Sequence, residues 1–204
     1  MKLAVVAANG KAGQLITKEA YDRGLDVTAI VRSSNKTVTD QVIQKDLFDL
    51  TTADIAEFDV LIDAFGQSDE NKLDEHSKSM KHLGDLVSNS NKRLLIIGGA
   101  GSLYVDEAHT LKLIDSPDFP EQFKKISQAQ IKTLEEIQKR KDVKWTFVCP
   151  APVFQYDGEK TGEYKLSADE VIGSKVSYAD FAQAMVDEVL EAQHIQQRFA
   201  VFAK

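Results

Sequence analysis

The apolar residues of this chain come in short, β-branched runs separated by stretches long enough for a helix, and that spacing restricts the fold more than any other feature. Seven runs read as strands: Lys2–Ala7, Asp26–Val31, Gln41–Gln44, Val60–Ala64, Arg93–Ile97, Lys144–Val148 and Arg198–Phe202. Four stretches between them, Lys11–Asp22, Asn71–Ser90, Phe123–Lys139 and Tyr178–Ala192, read as helices. Parallel strands need crossover helices, and strands covered on both faces appear as unbroken apolar runs. The pattern therefore predicts an α/β fold with a doubly wound, mostly parallel sheet and helices on both faces, in one domain over residues 1–204. Phe123, Ile126, Leu134 and Ile137 follow the helical step of three to four. Ser177 is a good cap for the last helix, and Asp180 three positions on completes a capping-box-like pair. Two irregular segments, about 102–120 and about 150–173, are expected to form the substrate side, because long loops in a compact domain usually carry function.

Composition narrows the possible partners. The net charge is −7, which argues against a protein that coats nucleic acid or anionic lipid. No segment approaches the ~20 apolar residues of a membrane span. The six-residue run Leu3–Ala8 is shorter than a secretory apolar region and is broken at once by Asn-Gly-Lys. The sequon Asn35-Lys36-Thr37 is accordingly without use. A lone cysteine, Cys149, forms no internal disulfide, and a buried, inert thiol in a reducing, cytoplasmic setting is expected. His76 and His82, six apart on one helix, fall on different faces, while His109 and His194 stand alone; no metal site is expected. No nucleophile elbow and no Walker lysine turn occur. The expected partner is a small molecule.

The opening corner, "LAVVAANGKAGQL", is the most informative local stretch. Gly10 and Gly13 take the second and third places of a G-x-x-G-x-x-G spacing, after a strand and before a helix; Ala7 takes the first. Glycines at such a corner permit a tight turn, a close approach of backbone to phosphate, and close packing of helix on sheet. The free amides of the helix's first turn, here Lys11, Ala12 and Gly13, can then hold a diphosphate. Alanine fits the first place provided that its φ stays negative, with Asn9 as the residue that tolerates a left-handed turn. The plain alternative is an ordinary Asn-Gly corner. Arg32 ends the second strand, in "DVTAIVRSSNK", where an acidic residue would read the 2′-hydroxyl of NAD. An arginine there suits a 2′-phosphate and favours NADP(H) over NAD(H), unless it is merely a solvated charge.

With these residues in place, the chain resembles the atypical short-chain dehydrogenase/reductase group of NAD(P)-binding, Rossmann-like proteins. Within that group it is most similar to small proteins described as NADH-flavin reductases, kin to the nitrogen-metabolite-repressor-like and biliverdin-reductase-B-like families. The markers span nearly the whole chain: "AANGKAG", "AIVRS", "KDLFD", "LIDAFG", "LLIIGGAGSL", "VKWTFVCPAPVF" and "SYADFAQAMVDEV". The resemblance implies that Asp46 and Leu47 sit by the adenine, Asp46 accepting from its amino group. It implies that Ala64, Phe65 and Gly66 run along the coenzyme, that Gly98 to Ser102, Gly98 and Gly99 first, lie under the nicotinamide, and that Pro150 to Phe154, Pro150 and Ala151 first, follow the strand that closes the nicotinamide side. The plain alternatives are that Asp46 caps the helix that follows and that Gly98-Gly99 only makes a turn.

One departure shapes the expected chemistry. Active short-chain dehydrogenases carry a helical Tyr-x-x-x-Lys, whereas the helix in question reads "FKKISQAQIK". Tyr156 and Lys160 match the spacing in a glycine-bearing loop, where a helical pairing is not expected. Ser102 and Tyr104 remain as proton-donor candidates. An acceptor that delocalises charge, such as a flavin or quinone, needs no strong protein acid. A site that binds NADPH and stacks a planar acceptor, with Phe154, Tyr156 and Tyr104 as walls, would work by proximity. The expectation is an NADPH-dependent reductase of flavin, quinone or a similar acceptor. The second reading is a non-catalytic NADP(H)-binding sensor or regulator, and a sugar-nucleotide epimerase or dehydratase is disfavoured.

Overall fold

The computed structural model describes residues 1–204. Its main sheet has eight strands in the order β3-β2-β1-β4-β5-β6-β10-β8. These are β1 (Lys2–Val6), β2 (Asp26–Val31), β3 (Val42–Gln44), β4 (Val60–Asp63), β5 (Arg93–Ile97), β6 (Lys144–Pro150), β8 (Tyr164–Ser167) and β10 (Gln197–Ala203). All pairings are parallel except that of β10 with the edge strand β8. The predicted α/β, doubly wound, mostly parallel architecture is the one observed.

Four helices cover the sheet: α1 (Lys11–Asp22), α2 (Glu75–Val87), α3 (Lys124–Ile137) and α4 (Tyr178–Glu191). The β1-to-β2 and β4-to-β5 connections run in opposite directions from the centre, so right-handed crossovers place α1 on one face and α2 and α3 on the other. Helix α4 returns to the first face and packs on α1, while α2 packs on α3. One hydrophobic core of 45 buried residues runs through both layers. Its middle strands, Leu3–Val6, Leu61–Ile62 and Leu94–Leu95, are sealed from solvent, as the unbroken apolar runs require.

The cap of α4 forms as expected: Ser177 Oγ accepts from the Asp180 amide at 2.9 Å. The buried Asp180 carboxylate does more than complete the cap. It accepts from the Thr161 and Gly162 amides, each at 2.9 Å, and so ties the loop before β8 to the helix start. The segment 150–173 contains two strands that periodicity did not announce, β7 (Val153–Gln155) and β8, with β9 (Lys175–Ser177) just beyond it. Strands β7 and β9 pair with each other outside the main sheet. Each is three residues long, too short to carry an alternating apolar signature. Helix α2 starts at Glu75 rather than Asn71, since Glu70–Lys72 winds into a separate 3₁₀ turn capped by Asp69.

Candidate functional site

Strand β1 hands on to β2 on one side and to β4 on the other, and ligands of open α/β sheets bind at such a switch point, beyond the carboxyl ends of the strands. The β1-to-α1 corner lies there. Gly10 is the N-cap of α1, and no side chain caps the helix. The amides of Lys11, Ala12 and Gly13 therefore have no acceptor of their own and face an open end with the positive pole of the helix dipole.

The corner departs from expectation at Ala7. Its φ is +58°, so the left-handed turn falls on this alanine and not on Asn9. A Cβ in that region costs about 1–2 kcal/mol. The bond from the Gly10 amide to the Ala7 carbonyl, 3.0 Å, holds the turn closed. Asn9 has a different task. Its side chain donates to the Ser34 carbonyl at 2.9 Å and accepts from the Lys36 amide at 2.8 Å. It thus braces the loop after β2 that carries Arg32. Gly13 lets helix and strand touch: a Cβ there would lie 2.8 Å from the Ala7 carbonyl oxygen and from Ala8 Cα.

A cavity of about 930 Å³ opens from this corner, near the top of the range for small-molecule sites. Gly10, Lys11 and Ala12 form one end, Ala64, Phe65 and Gly66 follow after β4, and Gly98 and Gly99 follow after β5. Pro150, Ala151 and Phe154, at the end of β6 and in β7, form the far wall. Most residues named for the coenzyme thus converge on one cavity although they are far apart in the chain. Arg32, Asp46 and Leu47 lie outside its lining, as do Ala7, Asn9 and Gly13 of the corner itself. Arg32 is exposed at the end of β2, with neither ion pair nor hydrogen bond to its guanidinium. Asp46 caps the 3₁₀ turn Leu47–Asp49, accepting from the Phe48 amide at 3.0 Å, while Leu47 is buried beneath it.

The glycines after β5 have a packing reason. A Cβ on Gly98 would lie 2.0 Å from the Phe147 ring, and one on Gly101 would lie 2.8 Å from Ser127 Cβ. Their smallness lets β6 and α3 close up behind the cavity floor. Gly66 has nothing within 4 Å of a Cβ position.

Ser102 and Tyr104 do not line the cavity. Ser102 is buried, with its hydroxyl 3.0 Å from Nη1 of Arg198, which donates to it. Tyr104 stacks face to face on His109 at 4.6 Å, away from the coenzyme corner. Their separation from the cavity comes from the chain's path after Gly101, which pairs Tyr104 with Lys112 and Glu170. Of the three proposed aromatic walls only Phe154 lines the cavity, backed by Tyr178 in a parallel stack at 3.5 Å. Tyr156 lies edge-on behind Tyr178 and carries the Lys11 ammonium 4.8 Å above its ring. Lys160 pairs with Glu19 at 2.6 Å, so the Tyr156/Lys160 spacing does not make a working pair.

Tyr178, His76, Asp118, Ser127 and Gln130 join the site without having been singled out for it. Ser127 and Gln130, at i and i+3 on α3, could have been found by asking which side of that helix meets the glycines. Burial pushes the Tyr178 hydroxyl above its ordinary range and His76 below its own, so both are held neutral. His76 Nε2 lies 3.0 Å from the Gln67 carbonyl, to which it donates. His82 makes the equivalent bond to the Leu50 carbonyl at 3.1 Å. No three His, Cys, Asp or Glu side chains come together as metal ligands. The Cys149 thiol is sealed in the core and pushed up to about 11 by burial, which makes it inert.

The NAD(P)H-binding family profile matches residues 7–192, from the corner to the end of α4. The chain belongs to the NAD(P)H-binding family. Protein YwnB of Bacillus subtilis (strain 168) is 39% identical over 211 residues, covering 100% of this chain and 99% of that one. A crystal structure from Streptococcus pneumoniae TIGR4, titled "a putative NADH-flavin reductase", is 46% identical with a TM-score of 0.96, each chain covered in full. A second, from Bacteroides thetaiotaomicron and named a "putative epimerase", is 30% identical with a TM-score of 0.85, covering 99% and 96%. The family binds NAD(P)H, and that coenzyme fits this chain. The unpaired first-turn amides, the close approach at Gly13 and the volume of the cavity suit a dinucleotide. No helix is long and apolar enough to cross a membrane.

Proposed function

We propose that the protein is an NADPH-dependent reductase that passes hydride directly to an oxidised flavin, a quinone or a similar planar acceptor. One observation carries this reading: a single cavity joins the amide-lined corner to an apolar compartment built from Leu113, Phe119, Pro120, Phe123 and Ile126. When bound, the reduced coenzyme supplies the hydride. The chain's part is to hold and align. The first-turn amides grip the diphosphate, the Phe154–Tyr178 stack is a flat wall, and the apolar side chains of 113–126 exclude water from one face of an acceptor.

The proton requirement points the same way. Tyr178 is the tyrosine of the cavity and is held protonated, and the lysine of the lining, Lys11, lies over the Tyr156 ring. Helix α3 has no tyrosine. Such a site suits an acceptor that spreads the incoming charge and takes its proton from water. The name of the pneumococcal protein supports a flavin acceptor. Mixing the protein with NADPH and a panel of flavins and quinones should give coenzyme oxidation well above background. If no member of the panel is turned over, the reductase reading fails and coenzyme sensing takes its place.

Coenzyme choice rests on Arg32, with Ser33, Ser34 and Lys36 as further donors on the loop braced by Asn9. Calorimetry should show tighter binding of NADPH than of NADH. In Arg32→Ala that preference should shrink by about 1.5–3 kcal/mol, the worth of a charge-assisted contact. An unchanged ratio would remove Arg32 from the 2′ position.

A further inference from the structure

The charge pattern of the cavity separates its two ends. Lys11 is the only lysine or arginine in the lining, and it belongs to the coenzyme corner. The opposite compartment is walled by residues 113–127, and the stretch "LIDSPDFPEQF" (113–123) holds three carboxylates and no base. Of these, Asp118 lines the cavity, is exposed at its mouth, and makes no hydrogen bond or ion pair. Of the lysines nearest in the chain, Lys124 pairs with Glu121 at 2.7 Å, Lys125 pairs with Glu70, and Lys112 lies outside the lining. Asp118 precedes Phe119 on the open side of this compartment, so an acceptor tail that leaves on that side passes its carboxylate.

We propose that Asp118 is a specificity-determining residue that turns this compartment against anionic acceptors, so that the acceptor is an uncharged planar molecule and, among flavins, the unphosphorylated one. The inference rests on the reductase reading above and names its substrate class. A ribityl phosphate emerging at this mouth would meet an unpaired carboxylate and no compensating cation, and like charges in juxtaposition suppress binding. The uncharged ribityl chain of riboflavin meets no such repulsion.

Riboflavin and FMN share one ring and differ only in the phosphate, so they are the matched probes. Steady-state kcat/KM at low salt should favour riboflavin by about threefold to tenfold, as expected for two charges held apart across partly wetted protein. The ratio should fall in Asp118→Asn and invert in Asp118→Lys, and it should narrow with added salt in the wild type. Both substitutions fall on an exposed side chain without partners, and circular dichroism checks the fold. Binding of the two flavins to the protein–NADP⁺ complex, followed by fluorescence anisotropy, reads the same preference without turnover. Turnover with FMN equal to riboflavin, or a ratio unmoved in Asp118→Lys, overturns the inference and leaves the reductase standing. Preferential riboflavin binding without turnover overturns the reductase reading and leaves the charge selection.

Discussion

Gly13→Ala is expected to destabilise the protein by about 2–3 kcal/mol and to abolish measurable NADPH binding. The added methyl would sit 2.8 Å from the Ala7 carbonyl oxygen and from Ala8 Cα, and 2.9 Å from the Ala8 carbonyl oxygen. All three are backbone atoms of the strand-to-helix corner, so no side chain can swing aside. Overpacking of this kind costs about 1–3 kcal/mol even where neighbours can yield. Relief requires α1 to move off β1, which carries the first-turn amides away from the diphosphate. Urea denaturation and calorimetry with NADPH read the two effects separately. A folded Gly13→Ala protein with wild-type affinity would show that the corner does not hold the coenzyme.

Asp63→Asn should stabilise the protein at pH 8 by about 2–3 kcal/mol and flatten its stability between pH 4 and 6. Asp63 ends β4 and is 3% exposed. It accepts from Ser79 Oγ at 2.7 Å and from the Phe65 amide at 3.1 Å, yet no cation faces it. Burial therefore raises its carboxyl to about 6 despite both bonds. The folded-state pKa stands above the unfolded value, so the protonated form favours folding. That contribution is complete below about pH 4, where both states are protonated. It is lost as the pH rises through about 6, because the unfolded chain ionises first. A shift of about 2 units corresponds to about 3 kcal/mol. Asparagine keeps an acceptor for the Phe65 amide, which positions the cavity wall, and carries no charge to desolvate. Urea midpoints between pH 4 and 8 test this. A pH slope retained in Asp63→Asn would assign it to another group.

Much of the site was legible because its logic is local. The strand, the Asn-Gly corner and the helix after it are contiguous between Lys2 and Asp22, and Gly10, Lys11 and Ala12 stand at the cavity as read. Arg32, too, could be placed at a strand end from the run before it. Ser102 and Tyr104 show where such reading stops. They follow β5 directly in sequence, but their orientation depends on Arg198 and Glu170, far along the chain. Asp118 and Phe119 sit in a loop whose composition says only that it is irregular, and Tyr178 looked like no more than the first residue of a capped helix.

The seven parallel strands, the four helices and the glycine corner after β1 were decided by the sequence itself, because hydrophobic period and glycine placement act over a few residues. Which hydroxyls and carboxylates face the cavity, and that Ala7 rather than Asn9 takes the left-handed turn, was decided only by the tertiary structure. Side-chain direction outside regular elements is set by contacts between segments distant in the chain, and backbone strain at one residue is tolerated only when packing around it leaves no alternative.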